Sequence, residues 1–180
     1  MRSIAVGLLI GLIFAQPARA DIFKSTLFSL NTIYLDRDYD NNGVKSKSKE
    51  TDTDLRLMRI EKNWAYGGIY SISSNDSSDS NRTSYGISGG YFSDKDFYIA
   101  AHYFLSSKYK AGGGVEYSKG TGYGIDLGFL TKITTSFYAG LVFIHRSYSY
   151  SEQNSSAGSS SVSVSHRELI PMFTFGVVFQ

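Results

Sequence analysis

Bulky apolar side chains recur at every second position along most of this chain. The last eight residues, FTFGVVFQ, set Phe173, Phe175, Val177 and Phe179 on one parity and Thr174, Gly176 and Val178 on the other. In SYGISGGYF, Tyr85, Ile87, Gly89 and Tyr91 oppose Ser84, Gly86, Ser88 and Gly90. FYIAAHYFLSS places Phe97, Ile99, Ala101, Tyr103 and Leu105 together, and GYGIDLGFL sets Tyr123, Ile125, Leu127 and Phe129 against Gly122, Gly124, Asp126 and Gly128. Phe137, Ala139, Leu141 and Phe143 likewise oppose Tyr138, Gly140, Val142 and Ile144. A period of two is the signature of a strand. Residues 27–37 and 64–73 follow it less cleanly. DLRLMRIEK (54–62) has no single parity, and a bulge between Leu57 and Met58 is expected to bring its aliphatic side chains to one side. Helical spacing would scatter the glycines around a cylinder, whereas here they gather opposite the Tyr and Phe.

Polar stretches separate these segments. Residues 38–52, 73–83, 108–120 and 151–165 are long and rich in Ser, Asn, Asp and Gly, while 61–63, 93–96 and 131–135 are short. They alternate long and short, and seven connections imply eight strands.

The first twenty residues, MRSIAVGLLIGLIFAQPARA, carry Arg2, an apolar run over 4–15 and a small-x-small end at Ala18-Arg19-Ala20. This is the layout of a secretory signal peptide, too short in its apolar run for a membrane helix. Residues 1–20 are therefore expected to be removed, leaving 21–180 as one domain. Removing Arg2 and Arg19 from 18 Lys and Arg leaves 16, equal to the 16 Asp and Glu, so the mature chain has no basic excess for nucleic acid. Cysteine is absent, which excludes disulfides and thiolate chemistry. Aromatics reach 15%. Pro171 is the only proline after residue 20, as befits long paired strands.

A soluble sandwich would turn the bulky faces to a core, and a membrane barrel would turn them to lipid. Strict alternation of connection length favours the barrel, because turns stay inside and loops project outward. Aromatics near strand ends (Tyr34, Trp64, Tyr91, Phe97, Tyr117, Phe137, Phe179) suit interfacial girdles. The chain also stops with a strand that can close on the first. With its signal peptide, eight alternating strands and aromatic terminal strand, the chain resembles the small outer-membrane β-barrels of the OmpA/OmpX kind. The resemblance is one of architecture and covers the mature chain. It implies an all-β, eight-stranded antiparallel up-and-down transmembrane barrel in a Gram-negative outer membrane, with short periplasmic turns and long extracellular loops. It also implies a terminal strand recognised by the outer-membrane assembly machinery. The tail keeps Gly176 and Phe179 of that signal but ends in Gln180 instead of Phe. Phe173, Phe175, Val177 and Phe179 are expected to face lipid.

The expected function is a non-catalytic structural or surface-interaction role for a monomer among outer-membrane lipid and lipopolysaccharide, with no cofactor, no metal and no nucleic-acid partner. Two alternatives stand beside it. Asp126, Arg146 and Glu168 fall on the lumen face, and folding the last hairpin about Ala157 sets Arg146 opposite Glu168. They form either an internal charge pair that fills the barrel or the constriction of a narrow pore for small solutes or ions. In FIHRSY, His145 and Ser147 share the outward face near the outer mouth, the pairing of acyl-transfer chemistry. It resembles the His-x-Ser of the lipid A 3-O-deacylases, with Tyr148 where those enzymes carry Asn and Glu152, in a loop, as the nearest acid. GTGYG (120–124) lacks the third glycine and following helix of a nucleotide loop, and DYDNNG (38–43) lacks the closing Glu of a calcium loop. His102 and His166 stand isolated in the sequence.

Overall fold

The computed structural model describes residues 26–41, 44–93 and 96–179. The signal segment, residues 21–25, the tip of DYDNNG and Gln180 lie outside the described residues, as do the side chains of 37–41 and 44–47. Eight strands follow in order: β1 (Thr26–Asn41), β2 (Val44–Glu61), β3 (Trp64–Asn75), β4 (Ser80–Phe92), β5 (Phe97–Ala111), β6 (Val115–Lys132), β7 (Phe137–Ser155) and β8 (Gly158–Phe179). Each pairs antiparallel with its neighbours, and β8 returns to β1, so the sheet closes into an up-and-down barrel. Closure removes the sheet edges that an open eight-stranded sheet would expose.

The alternation read from the sequence becomes inside and outside. Along β6, Gly122, Gly124, Asp126, Gly128 and Leu130 are buried while Tyr123, Ile125, Leu127 and Phe129 are exposed. In β8, Met172, Thr174 and Val178 point inward, and Phe173 and Phe175 are 59% and 41% exposed.

Two expectations need correction. No bulge interrupts β2, whose register with β1 and β3 is continuous through Leu57 and Met58. Its outward face is Leu55 and Leu57, and its inward face is Asp52, Asp54, Arg56, Met58 and Ile60. The strand lacks a clean hydrophobic parity because its inward side mixes charges with aliphatics. Register shifts occur instead at Tyr85/Gly86, between Phe104 and Ser107, between Ser107 and Tyr109, and between Tyr150 and Glu152. The four polar stretches, moreover, are not loops. Most of their residues continue the strands as hairpins, which turn tightly; in the last, Ser155 pairs with Gly158. Gly158 has φ of 118°, a conformation that residues with a Cβ rarely adopt.

The opposite end of the barrel has short connections at 62–63, 93–96 and 133–136. Beneath the interior at that end lies a cavity of about 360 Å³ whose lining includes Leu27, Ile60, Phe92, Leu130, Tyr138 and Val178.

Candidate functional site

The inward residues stack into layers. Nearest the short turns is an apolar layer of Leu27, Met58, Ala65 and Val178, continued upward by Ala100, Leu130, Val142, Ile144, Ile170 and Met172. Above and among these sits a polar network. Arg56 bonds to Asp126 and to the Tyr98 hydroxyl, and its guanidinium lies 3.3 Å from Asp54. Arg146 bonds to Asp54 and donates to Ser71 Oγ at 3.0 Å. His102 Nε2 is 3.0 Å from Asp126 Oδ2. Arg82 forks onto Glu168 with two 2.7 Å bonds, and Arg146 Nη1 is 3.6 Å from the same carboxylate. Arg82 also lies 3.9 Å from Asp52, so four carboxylates (Asp52, Asp54, Asp126, Glu168) face three guanidiniums, and burial of such groups is tolerable only with this mutual pairing.

Higher still, rings close the interior. Phe104 and Tyr148 are fully buried, Arg82 lies 4.3 Å over the Tyr148 ring, and Tyr150 contacts Tyr109 and Tyr117 at 6.3 and 6.2 Å. Tyr117 therefore belongs to this interior cluster, stacked on Tyr109, and not to an outer girdle. His166 stacks on Tyr109 at 6.1 Å and its Nε2 is 3.3 Å from Glu168.

Glycine on β6 makes the large groups fit. A Cβ at Gly122 would stand 2.7 Å from the Tyr148 ring, and one at Gly120 would stand 2.6 Å from Tyr150. Gly124 lies opposite Arg146. The small side of one strand is the floor on which the large side of the next rests.

Asp126, Arg146 and Glu168 all belong to this network, and Arg146 stands opposite Glu168 in register. Sequence reasoning missed Asp52, Asp54, Arg56, Arg82 and the pairing of His102. Neither His102 nor His166 is isolated: each faces a carboxylate. Their inward parity was available in the sequence; their partners, on other strands, were not.

The outer surface is a belt. At the turn end it is rimmed by Trp64, Tyr91, Phe97, Phe129, Phe137 and Phe179, with Trp64 edge-on to Tyr91 at 5.2 Å and Phe97 edge-on to Phe129 at 6.2 Å. At the other border stand Tyr34, Tyr70, Tyr85, Tyr103, Tyr123 and Leu169, exposed by 41 to 72%. From Phe179 to Leu169 is ten residue steps, about 33 Å of strand. At a tilt near 40° that is about 25 Å of height.

His145 and Ser147 lie on the outward parity of β7 at the upper border of this belt, opposite Leu169 and Arg167, but His145 is half-buried and Ser147 is buried. Among the described residues no hydrogen bond joins them; His145 contacts the Tyr123 ring at 6.5 Å. Glu152 is not in a loop but in β7, where it pairs with Lys119 Nζ at 2.6 Å and accepts from Ser118 Oγ at 3.1 Å. These partners hold its carboxyl below the usual carboxylate range. The acid expected to orient His145 is thereby engaged elsewhere. Among the described residues, no group of three or more His, Asp or Glu is arranged to hold a metal.

The architecture is that of an eight-stranded, side-chain-filled antiparallel barrel with an apolar exterior. No family model matches the chain, and no curated protein matches it. Among solved structures it is similar to the crystal structure of Neisserial surface protein A (NspA), with a TM-score of 0.49 and 14% identity over 86% of this chain and 96% of that one. The translocator domain of the autotransporter NalP from Neisseria meningitidis gives a TM-score of 0.37 and 13% identity over 97% of this chain and 67% of that one.

Proposed function

We propose that the chain is an outer-membrane barrel that crosses the bilayer with its eight strands and serves a structural or surface-interaction role without catalysis. The observation that carries this reading is the apolar belt. Large hydrophobic side chains, Leu57, Trp64, Ile87, Phe129, Phe143 and Phe173 among them, are more than half exposed on all sides of the barrel. A soluble monomer rarely exposes more than a few hundred Å² of contiguous apolar surface. The belt height of about 25 Å equals the apolar band of outer-membrane barrels, and aromatic rims suit the two interfaces. Strands of 18 to 22 residues in β6, β7 and β8 exceed the roughly 10 needed to cross, so their upper halves stand beyond the bilayer. The signal segment and the outward terminal strand agree with export and membrane assembly, and we propose a monomer among lipid and lipopolysaccharide.

The pore reading is opposed by the interior. Asp126, Arg146, Val142, Ile144, Phe104 and Met172 are fully buried across successive layers. The deacylase reading is opposed by the engagement of Glu152 with Lys119.

The test is refolding of residues 21–180 into detergent, followed by electrophoresis with and without boiling. A heat-dependent mobility shift and loss of solubility without detergent are expected. Unchanged mobility together with a detergent-free soluble monomer overturns the reading.

A further inference from the structure

The barrel is closed unequally around its circumference. The β1–β8 ladder runs only from Thr26↔Phe179 to Thr32↔Phe173. On its other side β8 stays paired with β7 up to Ser155↔Gly158, and β1 stays paired with β2 up to Asn41↔Val44. Among the described residues, then, β8 over 158–172 is paired on one side only. Each strand offers its backbone N–H and C=O groups alternately to left and right, so this stretch presents a row of donors and acceptors with no strand to meet them.

Three features show how this edge is built. Pro171 stands where the ladder stops, two residues above Phe173; it has no N–H to donate, and proline within a sheet belongs at an edge. The outer part of the edge, GSSSVSVS over 158–165, carries no charge and no proline, the usual devices that blunt a free strand; charge enters only below it, at Arg167 and Glu168. The facing edge of β1 is different: Asp36, the last β1 residue before the undescribed side chains, brings an exposed charge to it. One side of the gap is guarded and the other is not.

The height of the edge identifies what borders it. Outward residues above Leu169 are Arg167, Ser165, Ser163 and Ser161, all exposed. Most of the free edge therefore stands above the apolar belt, in water. Lipid cannot satisfy a regular row of amides and carbonyls, and a second strand can.

We propose that β8 over 158–167 accepts an extended polypeptide segment of another protein by strand addition. The added strand has alternating chemistry: apolar side chains beside Val162 and Val164, which are half-buried, and small polar ones beside Ser161, Ser163 and Ser165. An acidic residue suits its membrane-proximal end, because Arg167 is exposed and has no ion pair among the described residues. This inference rests on the proposed membrane reading, which puts the edge outside the bilayer.

The experiment uses the folded mature chain in detergent micelles and a synthetic nine-residue peptide that alternates valine and serine and carries two aspartates at one end. Amide hydrogen exchange of residues 158–167 is followed as peptide is added. Saturable slowing of at least tenfold is expected, confined to that stretch. A peptide N-methylated at every second amide cannot complete a ladder and is expected to give no slowing. Unchanged exchange at millimolar peptide, in protein that retains its heat-dependent mobility, overturns the strand addition alone. Equal slowing by the methylated peptide also overturns it, since the contact then needs no ladder. Loss of the mobility shift in the starting protein overturns the membrane barrel itself, and the edge with it.

Discussion

Arg82 on β4 and Glu168 on β8 meet across the full width of the barrel, joined by two parallel bonds of 2.7 Å. Their strands are four apart in a ring of eight, so the pair ties opposite walls together. Arg82 is 3% exposed and the Glu168 side chain 11%. A charge left alone in such a place costs far more than the pair contributes. Glu168→Gln keeps the shape but removes the hydrogen-bonded counter-charge of Arg82, leaving only Asp52 at 3.9 Å, and about 3 kcal/mol of stability should be lost. Replacing both, as Arg82→Met with Glu168→Leu, should restore most of that loss. Urea unfolding in micelles measures it; a loss below about 0.5 kcal/mol for Glu168→Gln would mean that water solvates the pair.

The glycines of β6 separate room from mere smallness. A Cβ at Gly122 would meet Ser147 O at 2.6 Å and Tyr148 Cδ1 at 2.7 Å, and neither can retreat from its own tight packing. At Gly124 the nearest atoms, on His102 and Arg146, stand at 3.3 and 3.4 Å. Gly122→Ala should therefore destabilise by about 1–3 kcal/mol, while Gly124→Ala should cost less than about 1. Equal costs for the two in the same urea assay would show that Tyr148 does not rest on Gly122.

Strand number, face assignment and closure were legible because the side-chain period is two and one face is consistently bulky. The reading failed where that contrast faded. In β2, Asp52, Asp54 and Arg56 share the inward parity with Met58 and Ile60, and in the sequence such a mixture looks like a bulge. In β7 and β8, runs such as SEQNSS and SSSVSVS look like loop composition, yet both strands continue through them because ladder pairing does not depend on apolar side chains. The interior was half legible. Arg146 and Glu168 could be brought together by folding one hairpin, since they are neighbours in register. Arg82 with Glu168, or Arg146 with Asp54, requires knowing which strands face each other across the closed ring.

The outer belt makes a prediction that depends on depth. Phe175 lies inside the belt and Phe179 at its turn-end rim, both outward on β8. Phe175→Arg should destabilise the barrel in lipid bilayers by about 2–4 kcal/mol, and Phe179→Arg by no more than about 1. Folding titrations in phospholipid vesicles give both values. A reversed or flat depth dependence would remove lipid as the solvent of this face.

The filled interior predicts electrical silence. Arg56, Asp126 and Arg146 occupy one section of the barrel with less than 3% exposure, and Ile144 and Met172 fill the section beside it. The wild-type chain should give no steady conductance in planar bilayers. Asp126→Ala should stay silent as well, because it removes an anchor for Arg56 and leaves the surrounding side chains in place. A steady current that changes with this substitution would reinstate the pore.

The outward pair His145 and Ser147 makes the last prediction. A hydroxyl nucleophile needs a base within hydrogen-bond reach, and the base needs an acid to orient it. Here the acid is spoken for: Lys119 and Ser118 hold the Glu152 carboxylate. Because these partners depress its titration, the Lys119–Glu152 contact should persist as pH falls through the usual carboxylate range and break only below it. Lys119→Ala should raise the Glu152 midpoint, observable by carbon NMR of the labelled carboxylate, and a midpoint unmoved by that variant would show that Lys119 does not hold the acid. With Glu152 held this way, incubation with lipopolysaccharide should leave lipid A at full acylation in wild type and Ser147→Ala alike. Loss of an acyl group in wild type that vanishes in Ser147→Ala, read by mass spectrometry, would instead make this belt-edge pair an active site.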